Sequence, residues 1–399
     1  MKRMLGVFLA VFAAAATSVA VAAGNSSPVL FSDSGPEPQL ASILGEIENH
    51  RLDAALQQTE ALLRQYPNFR LGHLIKGDLL LARGKALATF GNADNAPREQ
   101  LADLREEAVV RLQAYRDKPA MASQLPRYLL QMAPEQKYAI VVDTEKSRLY
   151  LYENDRSRPR FVADYYITHG KFGADKMREG DKKTPVGVYH VTADLSAKKL
   201  GDLYGSGAFP INYPNEWDKR QGRKGHGIWL HGTPSDTFSR PPKASNGCVV
   251  LANIDLNALA KNVQVGVTPV IISDSIEWLS LEDWETERRA LNEKIEEWRN
   301  DWESRDMDRF LKHYSKRFQT REQNLAQFAA QKRQANAAKE WVKVELSRQS
   351  TFRSPGSDGV VLVTFDQQYT SNNLNNQMKK RQYWIREDGT WKIIYEGTA

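Results

Sequence analysis

The hydrophobic period of this chain changes twice, and each change marks a place where one kind of layer stops and another begins. Leu40, Ile43, Leu44 and Ile47 share a helical face, as do Leu52, Leu56, Leu62 and Leu63. Tyr66-Pro67-Asn68 breaks that run, and Leu71, Leu74, Ile75, Leu79 and Leu81 begin another helix. Pro97 suits a first helical position, and charged helix is expected from there to Met132, ending near Pro134. Then the period shortens. Tyr138 to Val142 and Arg148 to Tyr152 are β-branched and aromatic runs joined by residues 143–147, and Phe161 to Thr168 follows a turn containing Pro159. This predicts a β-meander, with short strands and Gly/Pro-rich loops continuing to Val270-Ile271-Ile272. Beyond it Trp284, Leu291, Ile295, Trp298 and Trp302 fall at intervals of 7, 4, 3 and 4, the stripe of an amphipathic helix. A shorter helix holds Phe310, Leu311 and Tyr314. Long strands follow at 341–352, 360–369 and 377–386, the last turning at Asp388-Gly389 into Trp391 to Tyr395.

The predicted organisation is therefore multidomain: a linker and helical unit over 24–135, a mainly-β unit over 136–275, and an α+β unit over 280–399. A length of 399 residues supports several cores of that size. Residues 1–23 stand apart. Lys2 and Arg3 precede an uncharged apolar run from Leu5, and Ala20-Val21-Ala22 offers a small-x-small cleavage site. This reads as a secretory signal peptide leading to the periplasm, the alternative being an uncleaved membrane anchor. Net charge is +6, with no basic block interleaved with aromatics. Nucleic-acid binding is excluded on that ground, whereas weak attraction to an anionic envelope is not.

An exported chain with one cysteine cannot close an internal disulfide, and a leftover thiol in such a chain calls for a chemical reason. Cys248 stands in Ser245-Asn246-Gly247-Cys248, and His231 in Trp229-Leu230-His231-Gly232-Thr233, seventeen residues earlier. A thiol attacks carbonyls as its thiolate, and an adjacent imidazole can take that proton and return it to a leaving amine. The gap suits a strand carrying the histidine, a loop, and the cysteine at the mouth of the next element. Gly247 is expected where the backbone passes close to a substrate carbonyl, with the amides near Gly247 and Cys248 placed to stabilise an oxyanion. His226 is the alternative base.

His-Gly-Thr followed by Ser-x-Gly-Cys resembles the catalytic signature of the L,D-transpeptidase (YkuD-type) family. Thr168-His169-Gly170-Lys171 and Gly180 to Tyr189, with its Thr184-Pro185-Val186-Gly187, resemble that family's other blocks in the same order. The resemblance covers 137–274 and implies a mainly-β catalytic domain acting on peptidoglycan stem peptides. It implies Cys248 as nucleophile and His231 as base and acid, oriented by the carbonyl of Gly232. Ser245, Gly247 and Cys248 fall where the family builds its oxyanion site, and Tyr204 with Phe209 to Tyr213 where a lid over the substrate is expected. One position departs: many members carry arginine two residues after the cysteine, where this chain has Val250.

The outer units carry weaker resemblances. Residues 40–84 resemble a tetratricopeptide-type helix pair, expected as a spacer packed on the enzyme or a docking surface for a protein partner. The C-terminal pattern resembles the α+β cone of the nuclear transport factor 2 superfamily. It holds one histidine, His313, with no acid–base partner evident, and is expected to bind a small ligand or glycan. That combination resembles a subgroup linked to cell shape, some of whose members trim stem peptides as L,D-carboxypeptidases. Seven scattered histidines and one cysteine suggest no metal site, and no cofactor is implied. The expected activity is acyl transfer through a Cys248 thioester with loss of D-Ala. Its rivals are L,D-carboxypeptidase trimming and a non-catalytic cell-wall scaffold.

Overall fold

The computed structural model describes residues 35–87, 89–92, 96–356 and 359–399. The segment read as a signal peptide lies outside them. No helix among the described residues is long and apolar enough to cross a membrane. Helices α1 (Glu37–Glu48), α2 (Leu52–Gln65), α3 (Arg70–Leu81) and α4 (Arg98–Arg116) form the N-terminal unit. Leu40, Ile43, Leu56, Leu62, Leu71, Ile75 and Leu79 close its core around Phe69, as their spacing predicts.

Helix α4 ends at Arg116, sixteen residues short of the expected Met132. Pro119 disfavours helical geometry at the residue before it, and the chain beyond turns extended. Strand β1 (Gln124–Pro126) pairs with β12 (Trp278–Ser280), while β2 (Leu129–Gln131) adds to the edge of the C-terminal sheet. Residues assigned to the helical unit from sequence thus tie the other two together.

The central sheet has nine strands: β3 (Tyr138–Asp143), β4 (Arg148–Asp155), β5 (Arg158–Thr168), β6 (Gly187–His190), β7 (Leu195–Ser196), β8 (Gly207–Pro210), β9 (Trp229–His231), β10 (Val249–Leu251) and β11 (Pro269–Ser273). Their order is β6-β11-β3-β4-β5-β10-β9-β8-β7. The expected meander is β3-β4-β5, antiparallel throughout. What positions the site is the contact after it. Strands β9 and β10 run parallel with Leu230 opposite Val249 and His231 opposite Val250, and β10 also pairs with β5. Two short helices complete this unit, α5 (Glu216–Arg220) and α6 (Asn253–Ala260).

The C-terminal unit packs α7 (Leu281–Glu303), α8 (Met307–Leu311) and α9 (Leu325–Ala337) against a six-stranded sheet. That sheet holds β13 (Tyr314–Gln319), β14 (Val342–Arg353), β15 (Val361–Ser371), β16 (Leu374–Glu387) and β17 (Thr390–Thr398), with β2 on its edge. The tryptophan stripe of α7 is buried as its period demands. Asp388 (φ 51°) and Gly389 (φ 76°) both take the left-handed conformation that a tight hairpin needs. One apolar core runs from Val141, Tyr150 and Tyr152 of the central sheet through Leu129 and Met132 to Trp284 and Trp298.

The helical unit meets the central sheet differently, through buried charge. Arg111 of α4 donates to Glu37 (2.6 Å) and Glu107 (2.9 Å), and its guanidinium lies 3.6 Å from the ring centre of Tyr166 on β5. Arg148 of β4 donates to the same Glu37 oxygen at 3.1 Å and pairs with Asp164. Phe238, from the loop between β9 and β10, packs 4.6 Å from Tyr66 and 5.1 Å from Phe69 in the helical core.

Candidate active site

Cys248 leads into β10, one step before the Val249–Leu230 pair, which sets it beside Trp229. Paired residues on neighbouring strands face the same way, and faces alternate along a strand. Cys248, Trp229 and His231 therefore open on one side of the sheet.

His231 is buried, and its Nδ1 lies 2.7 Å from the carbonyl oxygen of Gly232. A carbonyl only accepts, so Nδ1 carries the hydrogen and Nε2 is left as the basic nitrogen. Burial pushes the His231 pKa down to about 4; the Gly232 bond opposes that shift and the Arg240 charge adds to it. The imidazole is thus neutral near pH 7, ready to accept a proton. Gly232 is required here, because a Cβ would collide with the Asn253 carboxamide oxygen and approach the Ser206 amide to 3.0 Å.

The Cys248 side chain is half-buried and its thiol donates to the Gly227 carbonyl at 3.4 Å. Burial raises its pKa, while the Trp229 amide and the charges of Arg240 and Lys176 favour the thiolate. At rest both partners are neutral, so attack must be coupled to proton transfer.

Ser245 shapes the turn before the cysteine. Its hydroxyl donates to the Cys248 carbonyl (2.6 Å) and accepts the Gly247 N–H (3.0 Å). The Gly247 amide, expected from sequence to help hold an oxyanion, is thereby engaged. Gly247 itself has φ 123°, and a Cβ would come within 2.6 Å of the Lys183 carbonyl. The close approach expected to a substrate carbonyl is instead to the protein's own backbone, at Lys183. The upstream blocks build the same turn: Thr184 donates to the Gly247 carbonyl (3.0 Å) and accepts the Gly170 N–H (2.9 Å). The Lys171 N–H donates to the Ser245 carbonyl and the Ser245 N–H to that of His169.

Tyr204 borders the site, its ring 5.1 Å from His231 and 4.9 Å from Trp229. Tyr213 does not. Phe209, Ile211 and Tyr213 alternate into the central core, and the Tyr213 hydroxyl donates to the carbonyls of Lys224 (3.0 Å) and Lys176 (3.3 Å). The segment expected as a lid is a strand and its extension, and the alternation of its apolar residues is the signal that gives this away. His226 is exposed and pairs with Glu179 at 3.2 Å, so the histidine on the strand beside the cysteine is His231.

Two residues with no sequence signature join the site. Asn253 accepts the Ser206 N–H (2.9 Å) and donates to the Thr233 carbonyl (2.8 Å), fixing the turns after Tyr204 and Gly232. Arg240 lies close enough to Cys248 to interact electrostatically with it. Neither belongs to a periodic run, and only the tertiary fold brings them in.

The C-terminal unit keeps its own polar groups. His313 has an acid partner after all, Asp301 at 2.8 Å, because the turn between α7 and α8 brings the two together. Glu297, Asp301 and His313 form the one possible metal-ligand cluster among the described residues, but Asp301 is also paired with Arg309 at 2.9 Å. A buried Lys380–Glu396 ion pair lies deeper in the cone.

Comparison with known proteins agrees with this geometry. The L,D-transpeptidase catalytic domain (YkuD) profile matches residues 137–272, and the Cds6 C-terminal NTF2-like domain profile matches residues 290–397. No curated protein matches the chain. Among solved structures, Bd1075 of Bdellovibrio bacteriovorus is similar at 32% identity and a TM-score of 0.62, over 69% of this chain and 98% of that one. The helical cell shape determining protein Pgp2 of Campylobacter jejuni is similar at 25% identity and a TM-score of 0.58, over 68% and 95%. The paired strands that carry His231 and Cys248 fall inside the catalytic match, and this chain belongs to the YkuD-type L,D-transpeptidases with a C-terminal nuclear transport factor 2-like domain.

Proposed function

We propose that the protein is an exported cysteine acyltransferase of the cell wall, acting on peptidoglycan stem tetrapeptides. The observation that carries this reading is the His231–Gly232 hydrogen bond, which frees Nε2 on the face of the sheet where Cys248 opens. His231 takes the thiol proton as sulfur attacks the carbonyl of the third stem residue, forming the C–S bond. The Cys248 amide faces the oxyanion. As the C–N bond breaks, His231 returns the proton to the nitrogen, and D-Ala leaves. A second acceptor then gives His231 a proton, attacks the thioester and releases the thiol. An amine from another stem yields a cross-link; water yields a tripeptide.

Trimming is the second reading, supported by the similarity to Pgp2, a helical cell shape determining protein. Reading residues 1–23 as a secretory signal places either reaction in the periplasm, and finding those residues intact on the native protein would contradict cleavage. The test is incubation of full-length protein and Cys248→Ala with disaccharide-tetrapeptides, followed by mass spectrometry. Tripeptides alone indicate trimming, and tetra-tripeptide dimers indicate transpeptidation. Equal inertness of wild type and variant, on muropeptides and whole sacculi, would support the scaffold reading instead.

A further inference from the structure

Val250 sits where many family members carry an arginine. It is buried between its strand partners His231 and Thr168 and offers the site no polar group. A cation does reach the site from elsewhere. Arg240 lies in the loop between the two catalytic strands, half-buried, and its Nη2 donates to the carbonyl of Ala244, next to the Ser245 that holds the Cys248 turn.

The loop is fixed from several sides. Tyr166 and Thr168, on the strand next to β10, both donate to the Arg240 carbonyl at 2.9 Å. Phe238 is lodged against the rings of Tyr66 and Phe69. The Ser239 hydroxyl donates to buried Glu107 (2.7 Å), and Lys243 pairs with Glu106 (2.8 Å). Every one of these anchors lies in the N-terminal unit, in α4 or the turn between α2 and α3, or on β5.

Arg240 has no carboxylate partner among the described residues. The contrast is Lys176, the other cation that favours the Cys248 thiolate, which is locked to Asp181 (2.7 Å) and the Arg178 carbonyl (3.0 Å). Of the cations influencing the sulfur, Arg240 is the one without a carboxylate partner among the described residues; His231 is the base. A guanidinium withdrawn from water without an acid is costly. It is compensated when an anion forms beside it.

We infer that Arg240 supplies the positive charge that relatives place two residues after the cysteine, and that the helical unit holds it there to steady the sulfur as it ionises. The inference rests on Cys248 being the nucleophile. It makes Arg240 a positioning residue acting through the thiol, and makes the helical unit part of the catalytic apparatus.

Because Cys248 is the only cysteine, its alkylation by iodoacetamide reads this site alone, without any peptide substrate. The rate is followed against pH for full-length wild type, Arg240→Gln, Arg240→Lys and Phe238→Ala, each checked for folding by thermal melting. Removing the charge is expected to move the Arg240→Gln midpoint upward by about one pH unit, a roughly tenfold slower reaction below it. Arg240→Lys should restore most of the shift, and Phe238→Ala, which keeps the arginine but frees its loop, should fall between. A folded Arg240→Gln with the wild-type profile overturns the inference. So does a wild-type profile for Phe238→Ala, should Arg240→Gln not fold. Muropeptide turnover is a separate readout: inert wild type with a shifted alkylation profile would remove the proposed reaction and leave the charge assignment standing.

Discussion

Two units flank the catalytic sheet. On the C-terminal side the join is apolar: Trp284 packs into a core continuous with Tyr150 and Tyr152, its indole N–H donating to the Leu129 carbonyl at 3.0 Å. On the N-terminal side the join is ionic and aromatic, with Arg111, Arg148, Glu37 and Glu107 buried together, half-buried Asp164 paired to Arg148, and Phe238 inserted from the catalytic loop. Apolar burial is non-directional and contributes mainly stability. Buried charges cost more to desolvate than they return unless their geometry is met, and so they fix position. The two flanking units therefore do different work. The cone is fastened to the enzyme, while the helices are keyed to the segment that carries Arg240 and leads to Cys248.

Stability measured against reactivity separates the two joins. Trp284→Ala should cost about 3–5 kcal/mol in urea unfolding, as large aromatic truncations in cores do, yet leave the Cys248 alkylation profile unchanged at temperatures where it is folded. A moved profile would show the apolar join to be catalytic too. Phe238→Ala should cost less, about 1–2 kcal/mol for a half-buried ring, but slow muropeptide turnover roughly tenfold if its loop positions the thiol. Unchanged turnover would make the helices a mere spacer.

The two flanking units should also respond oppositely to pH. Burial, aided by Glu37, pushes the Asp255 carboxyl beside the ionic network up to about 7. The folded form holds a proton that the unfolded chain releases near 3.8, so this stabilisation is full below that pH and lost as pH rises through 7. In the cone, Lys380 and Lys332 outweigh burial and hold Glu396 down at about 2. Its contribution is present above the usual 4.5 and fades as pH falls toward 2. Hydrogen exchange, corrected for intrinsic rates, should therefore show α1–α4 loosening first as pH rises from about 4 to 7, and β16–β17 loosening first below pH 4. The reverse order would contradict the assignment. The smallest expected effect lies in the acid limb of turnover, which should fall near pH 4 rather than 6.5, because His231 is held neutral by burial.

What was legible in the sequence was what chemistry or periodicity imposes locally. His231-Gly232 and Ser245 to Cys248 are short contexts that the turn geometry demands, and the tryptophan stripe of α7 is one helical face. Strands β1 and β2 were missed because three residues carry no period, and the charged pattern of α4 ran on past Pro119 without an apolar stripe to contradict it. Tyr213 was misread as a lid although Phe209, Ile211 and Tyr213 alternate like a strand. Arg240 was invisible for a different reason. Its role depends on a loop pinned by residues more than seventy positions away, such as Tyr166, and no local pattern encodes that.

The proposed reaction requires a covalent acyl-enzyme on Cys248. Full-length protein mixed rapidly with disaccharide-tetrapeptide, quenched in acid and weighed intact, should gain the mass of the substrate less D-Ala, on the peptide containing Cys248. Cys248→Ala should gain nothing. Released D-Ala with no adduct on wild type at any time, or an adduct that persists in Cys248→Ala, would rule out the Cys248 thioester.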